Sequence, residues 1–225
     1  MHMNLFVKSI FFILLPVHLF AQEPDSLRRP DIYLSQVDMH KIMPMDSSSI
    51  VFLGNSITFW GNWSERFLRN GHVKNRGIPG DNTFGVLDRL EDILPHKPRL
   101  IFLMIGINDL AQGFSDPVIL SNLSKIVKQV RMESPGTKLV LQSILPVNPS
   151  FGKLPNHEKY AEHIPLINLE ISSIAKDMNC DYFDLYRYFS DERGHLKKQL
   201  TWDGVHLTEE GYQIWQDILI KKHYF

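Results

Sequence analysis

Ile50-Val51-Phe52-Leu53-Gly54-Asn55-Ser56-Ile57-Thr58 is an apolar run that ends abruptly in Gly-Asn-Ser, and an aromatic, helix-compatible segment from Phe59 to Leu68 follows it. An unbroken apolar run bounded by glycine reads as a buried strand, and the Gly-Asn-Ser step as a tight turn into a helix. A serine in that turn stands at the carboxyl end of a strand, the edge where open α/β sheets place their ligands. Serine is also a common helix cap. The stretch alone therefore leaves Ser56 two readings, cap or reactive group.

Working outward, the same alternation recurs. Gly71 ends the first helix, and His72 to Asn75 forms a short extended piece leading into the glycine- and proline-dense loop Arg76-Gly77-Ile78-Pro79-Gly80-Asp81-Asn82. Helical spacing returns from Thr83 to Ile93 and stops at Pro95 and Pro98. Leu100 to Ile105 is continuously apolar, which suits a central strand buried on both faces. After Gly106-Ile107-Asn108-Asp109, Asp116-Pro117 opens a helix with Asp as cap, and its apolar face runs through Ile119, Leu123, Ile126, Val127 and Val130. A strand from Lys138 to Ile144, a long loop from Val147 to Asn156, a helix from about His157 to Asp177 and a strand from Cys180 to Leu185 follow. Thr201 to His206 is a polar loop, and Thr208 caps a last helix whose first turn carries Glu209 and Glu210. Five strand–helix alternations predict an α/β fold, a three-layer α/β/α sandwich around a five-stranded, mainly parallel sheet with right-handed crossovers.

The chain has 225 residues, 44% apolar and 22% charged, enough for one domain with a sizeable core. A formal net charge of -1, with no basic run, excludes a general electrostatic pull toward nucleic acid. Lys8 precedes an apolar core from Ser9 to Phe20, followed by Ala21-Gln22. That order describes a cleavable secretory signal over residues 1–21, too short for a comfortable membrane span. The mature protein is expected to be secreted or periplasmic, to begin near Gln22 and not to insert stably in a membrane. With no cysteine near the cleavage point, a lipid-attached amino terminus is not expected. Residues 22–47, broken by Pro24, Pro30 and Pro44, read as a leader that packs along the surface, and residues 48–225 as the domain. The single cysteine, Cys180, has no partner for an intramolecular disulfide and reads as a small buried side chain.

Loops after parallel strands share one sheet edge. Four of them contain Gly54-Asn55-Ser56, Gly80-Asp81, Gly106-Ile107-Asn108-Asp109 and Asp203-Gly204-Val205-His206. Together, in this order and at these element boundaries, they resemble the SGNH (GDSL-type) hydrolases over about residues 49–222. The resemblance implies the flavodoxin-like fold of that family and ester hydrolysis without metal or cofactor. It assigns Ser56 as nucleophile, His206 as base and Asp203 as the carboxylate orienting it. The backbone N–H groups of Ser56 and Gly80 and the side-chain amide of Asn108 become the oxyanion donors. The chemistry agrees: hydrolysis needs a nucleophile, a base titrating near neutrality and donors aimed at the oxyanion. Gly77 competes with Gly80, and the spacing Asn75-x-x-Ile78-x-Gly80-Asp81 favours Gly80. Asp203 and Asn108-Asp109 also have readings as plain turn residues. One departure is Asn55, where many family members carry Asp. The change removes a charge beside the nucleophile but keeps a side chain that can bond the turn. Activity is expected to survive it, with any difference showing in the pH profile.

Other motifs come out negative. His157-Glu158-Lys159-Tyr160-Ala161 begins like a zinc-protease helix but lacks the second histidine, and His163 falls on another helical face. Neither a phosphate-binding loop nor a dinucleotide fingerprint is present. The family's compact branch, resembling platelet-activating-factor acetylhydrolases and carbohydrate O-acetylesterases, favours short acyl groups. The expected partner is a small-molecule or glycan ester, with Trp60, Trp63 and Trp202 near the mouth able to stack on a sugar. A lysophospholipase or thioesterase, with Val147 to Asn156 lining a wider groove, and a non-catalytic glycan-binding module are the alternatives.

Overall fold

A computed structural model describes residues 24–68 and 71–225. The expected signal, residues 1–21, and the expected mature start at Gln22 lie outside the described residues. The order is α1 (Tyr33–Ile42), β1 (Ile50–Gly54), α2 (Ser56–Phe59), α3 (Trp63–Arg66), β2 (Val73–Gly77), α4 (Thr83–Asp88), β3 (Leu100–Met104) and α5 (Ile107–Gln112). It continues with α6 (Asp116–Glu133), β4 (Lys138–Gln142), α7 (Pro155–Glu158), α8 (Ile164–Asp177), β5 (Asp181–Phe183), α9 (Tyr186–Phe189) and α10 (Glu209–Lys221).

The strands form one five-stranded sheet in the order β2-β1-β3-β4-β5. Every pairing is parallel, so the sheet is wholly rather than mainly parallel. Burial explains the order. Every residue of β1 and β3 is buried, as their unbroken apolar sequences require, while β2 shows Lys74 and Asn75 and β5 shows Asp181 at the two edges. Phe52 lies in register with Phe102, and both point to one face. There the Trp63 ring stacks on Phe52 at 4.0 Å, and Trp215 of α10 meets Trp63 edge-on at 4.8 Å. Helices α4, α6 and α8 lie side by side as the other outer layer.

Several expected helices differ in extent. The segment Phe59 to Leu68 is not one helix, because Asn62 takes a left-handed conformation between α2 and α3. That break turns Trp63 inward, where its indole N–H donates to the Thr58 carbonyl at 2.7 Å. The helix expected from His157 to Asp177 starts early as α7, stops, and resumes as α8 with Pro165 in its first turn, the one place a helix tolerates proline. The run after Thr83 relaxes beyond Asp88 into two short 3₁₀ turns. Ser115 rather than Asp116 precedes α6, and Cys180 is half-buried.

The leader is more structured than its prolines suggest. Between Pro30 and Pro44 it forms α1, which buries Tyr33 and Val37 against Ile78. The Tyr33 hydroxyl donates to the Gly85 carbonyl at 2.6 Å, and Arg29 pairs with Asp88. Residues 29–37 therefore brace the loop that leads from β2 into α4.

Candidate active site

The loop after β1 places Ser56 at the first position of α2. Asn55, not Ser56, caps that helix: its Oδ1 accepts from the Ile57 N–H at 3.0 Å. The serine hydroxyl is thus left for other partners. It lies 3.0 Å from Nε2 of His206. As the first helical residue, Ser56 also has a backbone N–H with no intrahelical acceptor.

His206 and Asp203 come from one loop, closed by an antiparallel bridge between Thr201 and Leu207. Within it, Thr201 Oγ1 accepts from the Gly204 N–H at 2.9 Å, and Gly204 takes a φ of +93, which glycine adopts without strain. That turn aims both side chains the same way. Asp203 Oδ2 sits 2.6 Å from His206 Nδ1, while its Oδ1 accepts from the His206 and Val205 amides at 2.7 and 2.9 Å. Burial pushes the Asp203 carboxyl up, but the His206 ring and these two amides together hold it below the usual carboxylate range. An ionised Asp203 keeps the proton on Nδ1, which leaves Nε2 as an acceptor toward Ser56.

Gly80 is the third residue of a turn closed by the Asp81 N–H donating to the Ile78 carbonyl at 3.1 Å. Pro79 precedes it and its φ is +77, the arrangement of a type II turn, which leaves the Gly80 N–H outside the turn's own bond. Gly77 has another role. A Cβ there would stand 2.2 Å from the Phe59 nitrogen, so β2 and α2 could not approach, and its own N–H is taken by Asn75 Oδ1 at 2.9 Å. The loop's end is anchored by Asp81, which is fully buried and paired with Arg89 at 2.9 Å. Arg89 in turn donates to the carbonyls of Arg76 at 2.6 Å and Gly54 at 2.9 Å, tying the Gly80 loop to the end of β1.

Asn108 lies in the first turn of α5, after Gly106. Its Nδ2 donates to the Asp81 carbonyl at 2.7 Å, which sets the amide beside the Gly80 loop. Next to it, Asp109 points inward and accepts from the Thr83 amide at 3.0 Å and from the Thr83 hydroxyl at 2.5 Å. Burial raises the Asp109 carboxyl to about 7, with Thr83 opposing. Asp109 is a buried clamp between two loops rather than a plain turn residue.

Two aromatic rings, edge-on to each other at 6.1 Å, lie beside the histidine. Trp60 meets the His206 ring edge-on at 4.6 Å, and Trp202 lies nearly parallel to it at 5.4 Å. They are 41% and 52% exposed, whereas Trp63, expected near the mouth, is fully buried in the core. Among the described residues no cluster of His, Cys, Asp and Glu could hold a metal ion.

Two residues were not assigned from the sequence. Arg89 falls within the expected helical run, and its pairing with Asp81 eight residues before it leaves no local mark in the sequence. His157, part of the incomplete zinc motif in the sequence, has its Nε2 3.0 Å from Asn108 Oδ1. A geometry in which a serine, a histidine and a carboxylate are linked in series, beside N–H groups that have no partner among the described residues, can deprotonate the hydroxyl and stabilise an oxyanion.

Comparison with known proteins gives the family. The profile of the GDSL-like Lipase/Acylhydrolase family matches residues 52–214. Platelet-activating factor acetylhydrolase IB subunit alpha1 of Homo sapiens is 28% identical over 72% of this chain and 70% of its own length. Acetylxylan esterase of Geobacillus stearothermophilus is 25% identical over 63% and 67%. N-acylneuraminate cytidylyltransferase of Escherichia coli is 23% identical over 74% of this chain, which spans only 38% of that protein's length. The crystal structure of a GDSL-like lipase from Bacteroides thetaiotaomicron superposes with a TM-score of 0.72, covering 84% of this chain and 96% of that one at 24% identity, a likeness of fold.

Proposed function

The chain belongs to the GDSL-like lipase/acylhydrolase family and is an SGNH-type carboxylic ester hydrolase; from that premise we propose that it is a secreted serine esterase removing acetyl groups from carbohydrate. Ser56 Oγ attacks the ester carbonyl as His206 Nε2 takes its proton. The N–H groups of Ser56, Gly80 and Asn108 receive the oxyanion of the tetrahedral intermediate. As that intermediate collapses, the imidazolium returns the proton to the departing alkoxide, which leaves as the sugar hydroxyl, and acetyl-Ser56 remains. Water then repeats the cycle with His206 as base, releasing acetate and restoring the serine.

The observation that carries the substrate reading is the pair of exposed indoles, 6.1 Å apart, that sit together beside His206. Large aromatic faces left in water beside a reacting centre suit a ring they can stack on, and a sugar offers one. The similarity to an acetylxylan esterase and an acetylhydrolase supports a short acyl group. The Val147 to Asn156 loop, which a long acyl chain would need as a groove, is tied at its start to the loop of Asp203 and His206: the Asn148 N–H donates to the Gly204 carbonyl at 2.7 Å. The N-terminal apolar segment supports export, with cleavage before Gln22.

The test is acetate release from a panel of O-acetylated glycans and phospholipids, with Ser56→Ala as control. Glycans are expected to be the better substrates, and octanoyl esters slower than acetyl. Preference for octanoyl esters, or equal rates for wild type and Ser56→Ala, would overturn the reading. Trp202→Ala is expected to raise KM for the glycan and leave p-nitrophenyl acetate little changed. Amino-terminal sequencing of exported protein is expected to begin at Gln22.

A further inference from the structure

We propose that His157 is a positioning residue for the oxyanion amide: its imidazole N–H holds Asn108 in the one orientation that leaves an N–H for the developing oxyanion. This rests on the roles given above to Ser56 and Asn108.

An asparagine amide can sit two ways, with oxygen and nitrogen exchanged. Here the network decides. The atom 2.7 Å from the Asp81 carbonyl must be the nitrogen, because a carbonyl oxygen only accepts. The amide oxygen therefore faces His157 Nε2 at 3.0 Å, and that ring nitrogen must carry the proton. The other ring nitrogen, Nδ1, is buried with no partner among the described residues. A second proton there would have nothing to bond, so the ring is neutral and fixed in one tautomer. Burial, and then the nearby His206, push His157 below the ordinary histidine range, in the same direction.

With its oxygen held by His157 and one N–H by Asp81, the amide has a single donor left, its second N–H. Turning the amide over would set two N–H groups against each other on one side and two oxygens on the other. The ring is itself held in place. It sits on α7, where Glu158 is buried and accepts from the Lys153 and Leu154 amides at 3.0 and 3.1 Å. The same carboxylate lies against Gly204, next to Asp203. A single turn of helix therefore touches both halves of the site.

In p-nitrophenyl acetate hydrolysis, His157→Phe keeps a ring but loses the donor. It is expected to lower kcat about tenfold or more per active site, with KM within about twofold. His157→Gln, whose amide can donate to Asn108, is expected to recover most of the loss. Placed on Asn108→Ala, His157→Phe is expected to cost nothing further, since no amide remains to be held. Active sites are counted by phosphonate titration, so that a loss of folded protein does not read as a loss of kcat. An unchanged kcat in His157→Phe, or an equal penalty in the Asn108→Ala background, overturns the proposal. Should the Phe variant not fold, the wild-type ¹⁵N spectrum decides: a neutral Nε2–H ring supports the assignment, and an Nδ1–H tautomer overturns it. Failure of the underlying roles is separate, because Ser56→Ala would then keep its activity.

Discussion

Asp203 and His206 meet inside one short loop, whereas the donors opposite them are carried to Ser56 by three strands and fastened through buried contacts. The relay needs little beyond its own turn: Thr201 bonds Gly204, Asp203 bonds the next two amides, and the histidine follows. The donor side depends on Arg89 pairing with Asp81, Asp109 clamping Thr83, and His157 facing Asn108. Damage to the relay should therefore change chemistry without changing the fold. Damage to the donor side should show in both, in proportions set by how deep the residue lies.

The largest effect expected is on the relay. Asp203→Asn keeps the side chain's size and most of its turn bonds but lets Nδ1 accept, favouring the wrong tautomer. A loss of about four orders of magnitude in kcat is expected, with the melting temperature little changed. Steady-state kinetics with circular dichroism melts measure both. A matching loss of stability would mean that the loop is not self-sufficient, and the contrast would fail at its simpler end.

The buried clamp should behave in the opposite way. The Asp109 carboxyl titrates near 7 in the folded protein against 3.8 in the unfolded chain. A raised acid binds its proton more tightly when folded, so its contribution to stability is complete below pH 4 and is lost as the pH rises to about 7. The shift corresponds to about 4 kcal/mol at most. Asp109→Asn cannot ionise and is expected to lack that part of the slope. Urea titrations at pH 4.5, 6 and 8 should show the variant gaining on wild type as pH rises. Parallel curves would mean that the carboxyl is ionised throughout.

Between these lies Asn108→Ala. Removing one oxyanion donor costs about 3 to 4 kcal/mol in the transition state, with KM nearly unchanged. A stability loss is expected with it, because Asn108 is buried at 8% exposure and its removal leaves the Asp81 carbonyl and the His157 N–H without their partner. Neighbours in sequence would then differ in kind, Asn108 affecting kcat as well as folding and Asp109 showing its effect in the pH dependence of stability.

How much of this was legible follows the same division. The succession of strands along the chain and the four loops are legible because apolar runs, glycines and prolines act locally, and Asp203 and His206 stand three residues apart. Arg89, His157 and the leader's Tyr33 are not. Their partners lie eight, forty-nine and fifty-two residues away, and no periodicity in the chain records such distances. Trp63 lies in the core rather than at the mouth for a related reason. Whether an indole faces solvent or core depended on the left-handed Asn62 before it, a backbone choice that the surrounding composition does not announce.

The smallest expected effect concerns Asn55, where the two sides join at the nucleophile. Its Oδ1 caps α2 by accepting from Ile57, an acceptor that aspartate also provides. Asn55→Asp is therefore expected to keep the cap and the stability, and Asn55→Ala to lose about 1 kcal/mol, the usual worth of such a cap. Because the cap fixes the turn on which Ser56 stands, the Ala variant should also lose some kcat, while the Asp variant should keep it. Any difference between Asp and Asn then isolates the added charge beside Ser56, read as a displacement of the kcat/KM profile along the pH axis. A large loss of activity in Asn55→Asp would show that the neutral amide is required at that position and that capping is not its whole role.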